Sequence, residues 1–348
     1  MTSLFFSATV AATLFASIGN VPKAMTTVLP ATMDLDGHPA LAEGAAPDAS
    51  HPWGTVYVAW SGGDHLHLTE WDLSKGSIVR DAEVTGSCRE VSLVRAADRL
   101  IVACTNESVR VLETDLAGAI VAQGTTGAGE LAAIDADGEH VVVGQIVDQK
   151  PVLPMRGSSL GPPRSAVKVT VLERRTLATT ASKMFRGDHL FYPHEMPQFA
   201  AHSVALLGDR VVVQIPDDKP RVEALSVGSL KRLAVRDLPL EVPTEHQHSM
   251  PVSRVGDAVA VDGLLLDKDL RKVGTSPVGF YMGSIVARDP STKTWLVAAT
   301  LRESTKDVLA TTGMDASSVI WSHGRAVAIA RSGGEDEPAR IRVWNLPK

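Results

Sequence analysis

The chain has 348 residues, of which 44% are hydrophobic and 21% are charged, so it is long enough to bury a sizeable core as one domain. Its formal net charge is −6, and acidic and basic residues are interspersed along the sequence. Because nucleic-acid binding needs a basic stripe with interleaved aromatic side chains, this composition excludes nucleic acid as the expected partner.

The N-terminal segment from Leu4 to Ile18 is apolar and rich in small residues. It is shorter than the ~20 residues that span a bilayer, so no transmembrane span is expected, but it has the length of a secretory h-region. We therefore expect residues 1–19 to be a signal peptide and the protein to be exported to the periplasm or the extracellular space. No Lys or Arg precedes the apolar run, and a misplaced start codon or a buried N-terminal strand are the alternatives.

Residues 20–52 are rich in Ala, Pro, Asp and Gly and are expected to be a linker. From residue 53 to residue 348, a unit of about 40 residues returns about seven times, each time as short strands with a tight polar turn. The clearest paired strands are Glu90–Cys104, Glu130–Gly144, Ser203–Gln214, Pro251–Asp262, Ser284–Ala299 and Ser318–Ala330. This pattern predicts an all-β fold, a β-propeller of seven blades with four antiparallel strands each. Six or eight blades are the alternatives.

The last unit ends just after its third strand, Arg340–Trp344, so its outermost strand has to come from elsewhere in the chain. Residues near Thr26–Leu35 carry β-branched side chains and are expected to supply it. Pairing this segment with the last blade would close the ring and cover an open sheet edge.

The strand endings Trp71-Asp72-Leu73, Thr114-Asp115-Leu116 and Trp344-Asn345-Leu346 resemble those of WD40 propellers and of the related YVTN and quinoprotein-like propellers. The turn at Asp135-Ala136-Asp137-Gly138 is similar to the aspartate-glycine turn that these families place between their first two strands. The resemblance covers the repeat style of residues 53–348 and implies a propeller of this superfamily.

The two cysteines, Cys88 and Cys104, flank a predicted hairpin whose turn lies near Ala96. Equal distance from the turn predicts that they face each other across the strands, close enough for a disulfide. In an exported protein we expect the bond to form, and two buried free thiols are the alternative. The bond would hold one hairpin and implies no catalysis.

Two long connections fall on one face of the predicted ring, because connections between second and third strands and between blades emerge together. These are Val147–Ser165 in blade 3 and Phe185–Phe199 between blades 3 and 4. Long connections are often functional, so binding residues are expected in the second one. These candidates are Phe191, Tyr192, His194 and Glu195. The alternatives are that the first connection has no partner and that the aromatic side chains of the second connection pack over their own loop.

Histidines concentrate on the same face. His246 and His248 form an H-x-H pair whose side chains project to one side of an extended segment. Either His202 or the pair of His194 and Glu195 could supply a third ligand from the neighbouring blade. A divalent metal is the cofactor that such a set would hold, with one coordination position open for chemistry. The alternative is that no cofactor binds and that these histidines are solvated loop residues.

The rim of the central channel is a second candidate site. Residues at equivalent positions near the starts of successive inner strands are Glu90, Glu130, His202, His248, Tyr281 and Asp315. Acids and imidazoles converging from several blades could bind a small polar ligand or a cation. The alternative is a water-filled channel that tolerates polar residues.

The sequence has no P-loop, G-x-G-x-x-G or H-E-x-x-H. Its one G-x-S-x-G pattern, Gly157–Gly161, lies in the proline-rich first long connection and not between a strand and a helix, so it does not indicate a nucleophile elbow. The favoured hypothesis is an exported, monomeric binding module that takes a protein partner or polar ligand through the loops of blades 3–5. The alternative is a metal-dependent lyase or hydrolase that uses the histidines of the same face. A structural element of a larger assembly is the third hypothesis.

Overall fold

A computed structural model of the protein describes residues 25–28, 39–62, 64–148, 165–186, 204–215, 221–238, 252–261, 264–275, 285–288, 295–298, 316–322, 325–330 and 340–345. These residues form strands, turns and bends, and no helix is found among them. Within these ranges there is accordingly no helix long and apolar enough to cross a membrane.

The strands form antiparallel sheets that follow one another along the chain. One strand, β1 (Met25–Val28), precedes the first sheet. Blade 1 consists of β2 (Ala40–Glu43), β3 (Thr55–Gly62), β4 (His65–Asp72) and β5 (Ser77–Thr85). Blade 2 consists of β6 (Glu90–Ala96), β7 (Arg99–Thr105), β8 (Ser108–Asp115) and β9 (Ile120–Ala128). Blade 3 consists of β10 (Glu130–Ala136), β11 (His140–Asp148), β12 (Ser165–Glu173) and β13 (Thr179–Arg186).

The second half of the chain repeats this order. Blade 4 consists of β14 (Val204–Leu207), β15 (Arg210–Ile215), β16 (Arg221–Ser226) and β17 (Arg232–Asp237). Blade 5 consists of β18 (Ser253–Val255), β19 (Ala258–Val261), β20 (Leu264–Leu266) and β21 (Lys272–Thr275). Blade 6 is described as the hairpin of β22 (Ile285–Arg288) and β23 (Trp295–Ala298). Blade 7 consists of β24 (Ala316–Ser322), β25 (Arg325–Ala330), β26 (Arg340–Asn345) and the N-terminal strand β1.

The first strands of the seven sheets form a closed ring. In chain order β2, β6, β10, β14, β18, β22 and β24 each contact the next, and β24 contacts β2 again. The sheets therefore radiate from a common centre, which is the arrangement of a β-propeller. This confirms the predicted all-β propeller, and six of the seven sheets in the described residues have the four strands predicted for a blade.

The N-terminal strand β1 closes the ring, as predicted. It pairs antiparallel with β26, with Met25 opposite Val343 and Val28 opposite Arg340. This pairing covers the edge that β26 would otherwise expose. One boundary differs from the prediction, because blade 1 already begins at Ala40, inside the predicted linker. Its sequence ALAE has no β-branched residue, so only its pairing with β3 identifies it as a strand.

The two ends of the ring differ, and we name them here. The turn face carries the turns between first and second strands and between third and fourth strands. The loop face carries the connections between second and third strands and between blades. The strand order places three long connections on the loop face: residues 149–164, 187–203 and 239–251.

The core lies between neighbouring blades, because alternate residues of each strand point to opposite faces of its sheet. In β15, Val211 and Val213 pack in the cluster shared with blade 3, whereas Val212 packs in the cluster shared with blade 5. All three are fully buried, and burying such a side chain contributes about 1.5–3 kcal/mol. Blade 4 is thus held by apolar contacts on both sides.

The aspartates that end several third strands cap the turns that follow. Asp72 Oδ1 accepts the backbone N–H of Ser74 at 2.8 Å, and Asp115 Oδ1 accepts that of Ala117 at 2.8 Å. In blade 5, Asp267 Oδ1 accepts the N–H of Asp269 at 2.9 Å. These bonds are the physical reason for the Trp-Asp-like strand endings seen in the sequence.

Candidate functional site

Two of the predicted rim residues lie at the loop face. Glu90 is the first residue of β6 and Glu130 is the first residue of β10, and these two innermost strands are neighbours. The other predicted binding residues lie outside the described residues: Phe191, Tyr192, His194, Glu195, Tyr281 and Asp315. Binding at these positions stays a prediction.

The predicted metal ligands His202, His246 and His248 also lie outside the described residues. Within the described ranges, no group of three or more His, Cys, Asp or Glu side chains could hold a metal ion. A divalent metal bound by these histidines therefore also stays a prediction.

The predicted disulfide is confirmed, but its geometry differs from the prediction. Cys88 and Cys104 are bonded, with their Cα atoms 5.2 Å apart. The strand register places Val91 opposite Cys104, so Cys88 lies before β6 and not across from its partner. The bond therefore fastens the connection between blades 1 and 2 to the second strand of blade 2, at the loop face.

The same connection is held by hydrogen bonds. Cys88 N donates to Ser61 Oγ at 2.8 Å, and Asn106 Nδ2 donates to the Ser87 carbonyl at 2.6 Å. Arg110 Nη2 reaches the carbonyl of Gly86 at 3.3 Å. The described connection between blades 1 and 2 is thus ordered from both blades.

Between blades 2 and 3, a lysine and a glutamine take the place of the disulfide. Gln145 is fully buried, and its Nε2 donates to the carbonyls of Ala128 at 3.0 Å and Gly127 at 3.4 Å. Lys168, opposite Gln145 in the sheet, donates from Nζ to the carbonyl of Thr126. Blade 3 therefore holds the end of β9 by polar contacts.

In blade 1, Trp60 stacks on His67 with ring centroids 3.9 Å apart and planes 6° apart. His67 Nδ1 lies 3.4 Å from Asp81 Oδ1 on the outermost strand. Trp60 packs against Val327 and Ile329 of blade 7, so the stack lies at the seam between the first and last blades.

Buried polar atoms without a hydrogen-bond partner collect towards the loop face. Among the described residues these are Trp60 Nε1, Thr105 Oγ1, Thr126 Oγ1, Gln145 Oε1 and both amide atoms of Gln214. Towards the turn face they are Asp72 Oδ2, Thr114 Oγ1 and Arg210 Nε. Asp72 Oδ2 lies 3.1 Å from Lys75 Nζ, and Arg210 is paired with Asp209, so two of these three side chains sit in ion pairs.

Several buried charges of the turn face are held in ion pairs. Glu113 of blade 2 is 5% exposed, and its Oε1 lies 3.2 Å from Nε of Arg174 in blade 3. Arg174 also donates to the carbonyls of Ala96 at 3.0 Å and Asp137 at 3.2 Å. The guanidinium is thus bonded to both blades, which offsets the cost of burying its charge.

A second buried carboxylate on the turn face spans three blades. Asp135 of β10 accepts the N–H of Leu206 in β14 at 2.8 Å, and Nη2 of Arg254 in β18 lies 3.4 Å from its other oxygen. Burial raises the pKa of Asp135 above its ordinary value, against the lowering effect of Arg254 and of two backbone N–H groups. This carboxylate links the inner strands of blades 3, 4 and 5.

Large exposed apolar side chains lie on the fourth strands of the described blades. Val79, Val121, Leu233 and Val273 occupy the same place, the extra residue of a β-bulge near the start of the strand. A bulge bends an edge strand away from foreign strands, which protects it from aggregation. Since these side chains belong to separate blades, they do not mark a binding patch.

Several solved structures are similar to this chain at low sequence identity. No protein-family model and no curated protein matches the chain. BamB from Moraxella catarrhalis is 12% identical, over 90% of this chain and 85% of that chain, with a TM-score of 0.34. The Cps50 (Swd1) β-propeller domain of Myceliophteria thermophila is 11% identical, over 88% and 83%, with a TM-score of 0.39. The Neurospora crassa Pan2 WD40 domain is 13% identical, over 64% and 58%, with a TM-score of 0.35.

The fold assignment therefore rests on the strand order and the closed ring, and the function has to be argued from particular residues. Sequence reasoning missed the buried polar residues Gln145, Gln214 and Asp135. Both glutamines interrupt strongly apolar strands, in the runs VVVGQIV and VVVQI. A polar residue inside such a run was the signal that could have found them.

Proposed function

We propose that this protein is an exported, non-enzymatic propeller that binds a protein partner through the loop face of blades 3–5. The observation that carries the proposal is the strand order, by which the three long connections 149–164, 187–203 and 239–251 all leave from the loop face of these blades. Long connections on a rigid scaffold are where binding residues concentrate.

The connections of the same face support this choice. Residues 149–164, 187–203 and 239–251 all leave from it, and residues 187–203 contain Phe191, Tyr192, His194 and Glu195. An adjacent pair of aromatic side chains beside a histidine and an acid has the composition of an interface anchor. The turn face, by contrast, uses its charges to join blades.

The disulfide supports export. Cys88 and Cys104 are the two cysteines of the chain, and stable disulfides persist in oxidising compartments. Together with the apolar segment Leu4–Ile18, this pairing favours a protein that works outside the cytoplasm.

Site-specific photo-crosslinking in the native cell envelope tests the proposal. A benzophenone amino acid replaces Tyr192, in the connection between blades 3 and 4, and, in a matched control, the exposed Arg175 on the turn face of blade 3. We expect a discrete crosslinked protein from position 192 and none from position 175.

A crosslink from position 175 alone, or none from either position in the envelope, would overturn the proposed face. Equal crosslinking from both positions would indicate contact without a defined surface and would also contradict it. Secretion of the protein with both thiols free, measured by alkylation before reduction, would contradict export into an oxidising compartment.

A further inference from the structure

The tight turn between β7 and β8 carries a motif for covalent modification. Asn106-Glu107-Ser108 has the pattern N-x-S with a residue other than Pro in the middle, which is the acceptor motif for N-linked sugars. The other asparagines of the chain, Asn20 and Asn345, are each followed two residues later by Pro, so neither has the required hydroxyl. Residue 106 is therefore the one position of the sequence with this motif.

The motif is accessible on the loop face. β7 ends at Thr105 and β8 begins at Ser108, so Asn106 and Glu107 form the tip of a hairpin. The turn is closed by the backbone N–H of Asn106, which donates to the Ser108 carbonyl at 3.2 Å, and all three residues of the motif are exposed. An N-linked sugar is bulky and belongs on the surface. This tip can carry one without displacing any residue of the core.

The hydrogen bonds of the Asn106 side chain are compatible with an attached sugar. Its Nδ2 donates to the Ser87 carbonyl at 2.6 Å, and its Oδ1 accepts the N–H of Arg89 at 3.1 Å. A primary amide has two N–H groups, of which glycosylation replaces one. Since the bond to Ser87 needs a single N–H, a glycosylated side chain can keep both contacts. The connection between blades 1 and 2 then stays fastened.

The neighbouring disulfide belongs to the same compartment as this modification. Cys104, two residues before Asn106, is bonded to Cys88. Stable disulfides persist in oxidising compartments, and N-linked sugars are found on surface loops of secreted proteins. A disulfide and an acceptor motif in one hairpin therefore both favour a chain that leaves the cytoplasm.

We propose that Asn106 is N-glycosylated during export, with a lipid-linked oligosaccharide as the sugar donor. In this step Nδ2 forms a bond to the anomeric carbon of the first sugar. The bond from that carbon to the lipid pyrophosphate breaks, the pyrophosphate leaves with the bonding electrons, and the amide proton passes to the transferase. The Ser108 hydroxyl is the part of the motif that the transferase requires. This inference rests on the proposed export.

A sugar at this position covers part of the loop face. It lies over blade 2, beside the connection that the Cys88–Cys104 bond holds. Because it is bulky and hydrophilic, it keeps a protein partner away from this connection. The loop face of blades 3–5, where binding is proposed, stays open.

Mass spectrometry of the protein from its native host tests the inference. Trypsin places Cys88 in peptide 81–89 and Asn106 in peptide 100–110, and the disulfide joins the two peptides. We expect the joined peptides to carry the additional mass of an oligosaccharide on Asn106. One spectrum therefore reports both the sugar and the oxidation state that export requires.

Two neighbouring variants separate the motif from the fold. Ser108→Ala removes the acceptor hydroxyl and keeps Asn106 with its hydrogen bonds, so we expect complete loss of the sugar from a protein whose disulfide still forms. Glu107→Gln is the matched control, because it changes the middle residue and keeps the motif. Its glycosylation should equal that of the wild type.

The possible failures can be told apart. Joined peptides without a sugar would overturn the inference and leave the proposed export intact. Separate peptides with free thiols and no sugar would overturn both. A sugar that persists in Ser108→Ala, or that disappears in Glu107→Gln, would contradict this motif as the acceptor.

Discussion

The two faces of the ring hold neighbouring blades together in different ways. On the turn face, charged side chains are buried and paired, as Glu113 is with Arg174 and Asp135 with Arg254. On the loop face, blades 1 and 2 are joined by the Cys88–Cys104 bond, and several buried polar atoms are left without partners. Neighbouring blades are therefore held by paired buried charges on the turn face, and by a disulfide and polar contacts to backbone carbonyls on the loop face.

The hydrogen bonds between blades also run in opposite directions along the chain on the two faces. On the turn face, Lys183 and Arg236 of the outermost strands donate forward to the carbonyls of Leu230 and Leu270 in the next blade, at 3.1 and 3.2 Å. On the loop face, Lys168 donates backward to the carbonyl of Thr126 in the preceding blade. Blade 3 is thus restrained from both sides, at opposite ends.

The largest effect is expected from Arg174→Met on the turn face. It leaves the buried Glu113 carboxylate without its nearest cation and two carbonyls without a donor, so the free energy of unfolding should fall by about 3–5 kcal/mol. Urea unfolding measures this loss.

Lys168→Met is the matched control on the loop face. It removes one half-buried cation that donates to one carbonyl, and we expect a loss of about 1 kcal/mol. Equal losses for the two variants would contradict the contrast between the faces.

An effect smaller than that of Arg174→Met, but larger than that of its Lys168→Met control, is expected when the disulfide is removed by the double change Cys88→Ala and Cys104→Ala. The bond closes a loop with a sequence separation of 16, so its loss should cost about 3 kcal/mol. Reduction of the wild type should lower the unfolding midpoint to a similar extent. If neither treatment changes it, the hydrogen bonds of Ser61 and Asn106 hold this connection by themselves.

The pH dependence of stability should reveal Asp135. Because its pKa is raised in the folded state, the native protein binds a proton in a window where the unfolded chain has lost it. The free energy of unfolding therefore falls as pH rises from the ordinary aspartate range through the raised pKa, and levels off above it. Asp135→Asn should lack this fall, as shown by urea unfolding at several pH values.

Arg254→Met sharpens the same test. It removes the cation that holds the pKa of Asp135 down, so the pH range over which the free energy of unfolding falls should extend to higher pH. A profile identical to that of the wild type would mean that this ion pair does not form in solution.

The smallest effect is expected from the histidines of the loop face. If this face binds a protein and not a metal, elemental analysis of protein purified without a His-tag should give the same substoichiometric zinc, manganese and copper in wild type and in His246→Ala/His248→Ala. Stoichiometric metal that disappears in the variant would favour the metal-dependent enzyme instead.

Much of the fold could be predicted from the sequence, because hydrophobic alternation and turn residues are local signals. The third strand His65–Asp72 alternates apolar and polar residues, and Asp137 with Gly138 marks the turn between β10 and β11. The closing strand could be predicted as well, since a blade with three strands has to find a fourth.

The contacts between blades could not be predicted in the same way. Asp135 meets Leu206 and Arg254 only after the blades are assembled, and no spacing along the sequence announces that contact. The register of the Cys88–Cys104 bond was wrong in the prediction because the segment before Glu90 leaves the strand direction. Long-range partners depend on geometry that a single sequence does not encode locally.

The pairing of Met25 with Val343 also makes the domain a natural subject for circular permutation. The end of β26 and the start of β1 meet in the orientation of a hairpin, so a short turn could join residue 345 directly to residue 25. New termini between Val28 and Ala40 would then give a chain in which all strands of blade 7 are contiguous. Such a permutant would fold its last blade as one local unit, without waiting for the two ends of the chain to find each other.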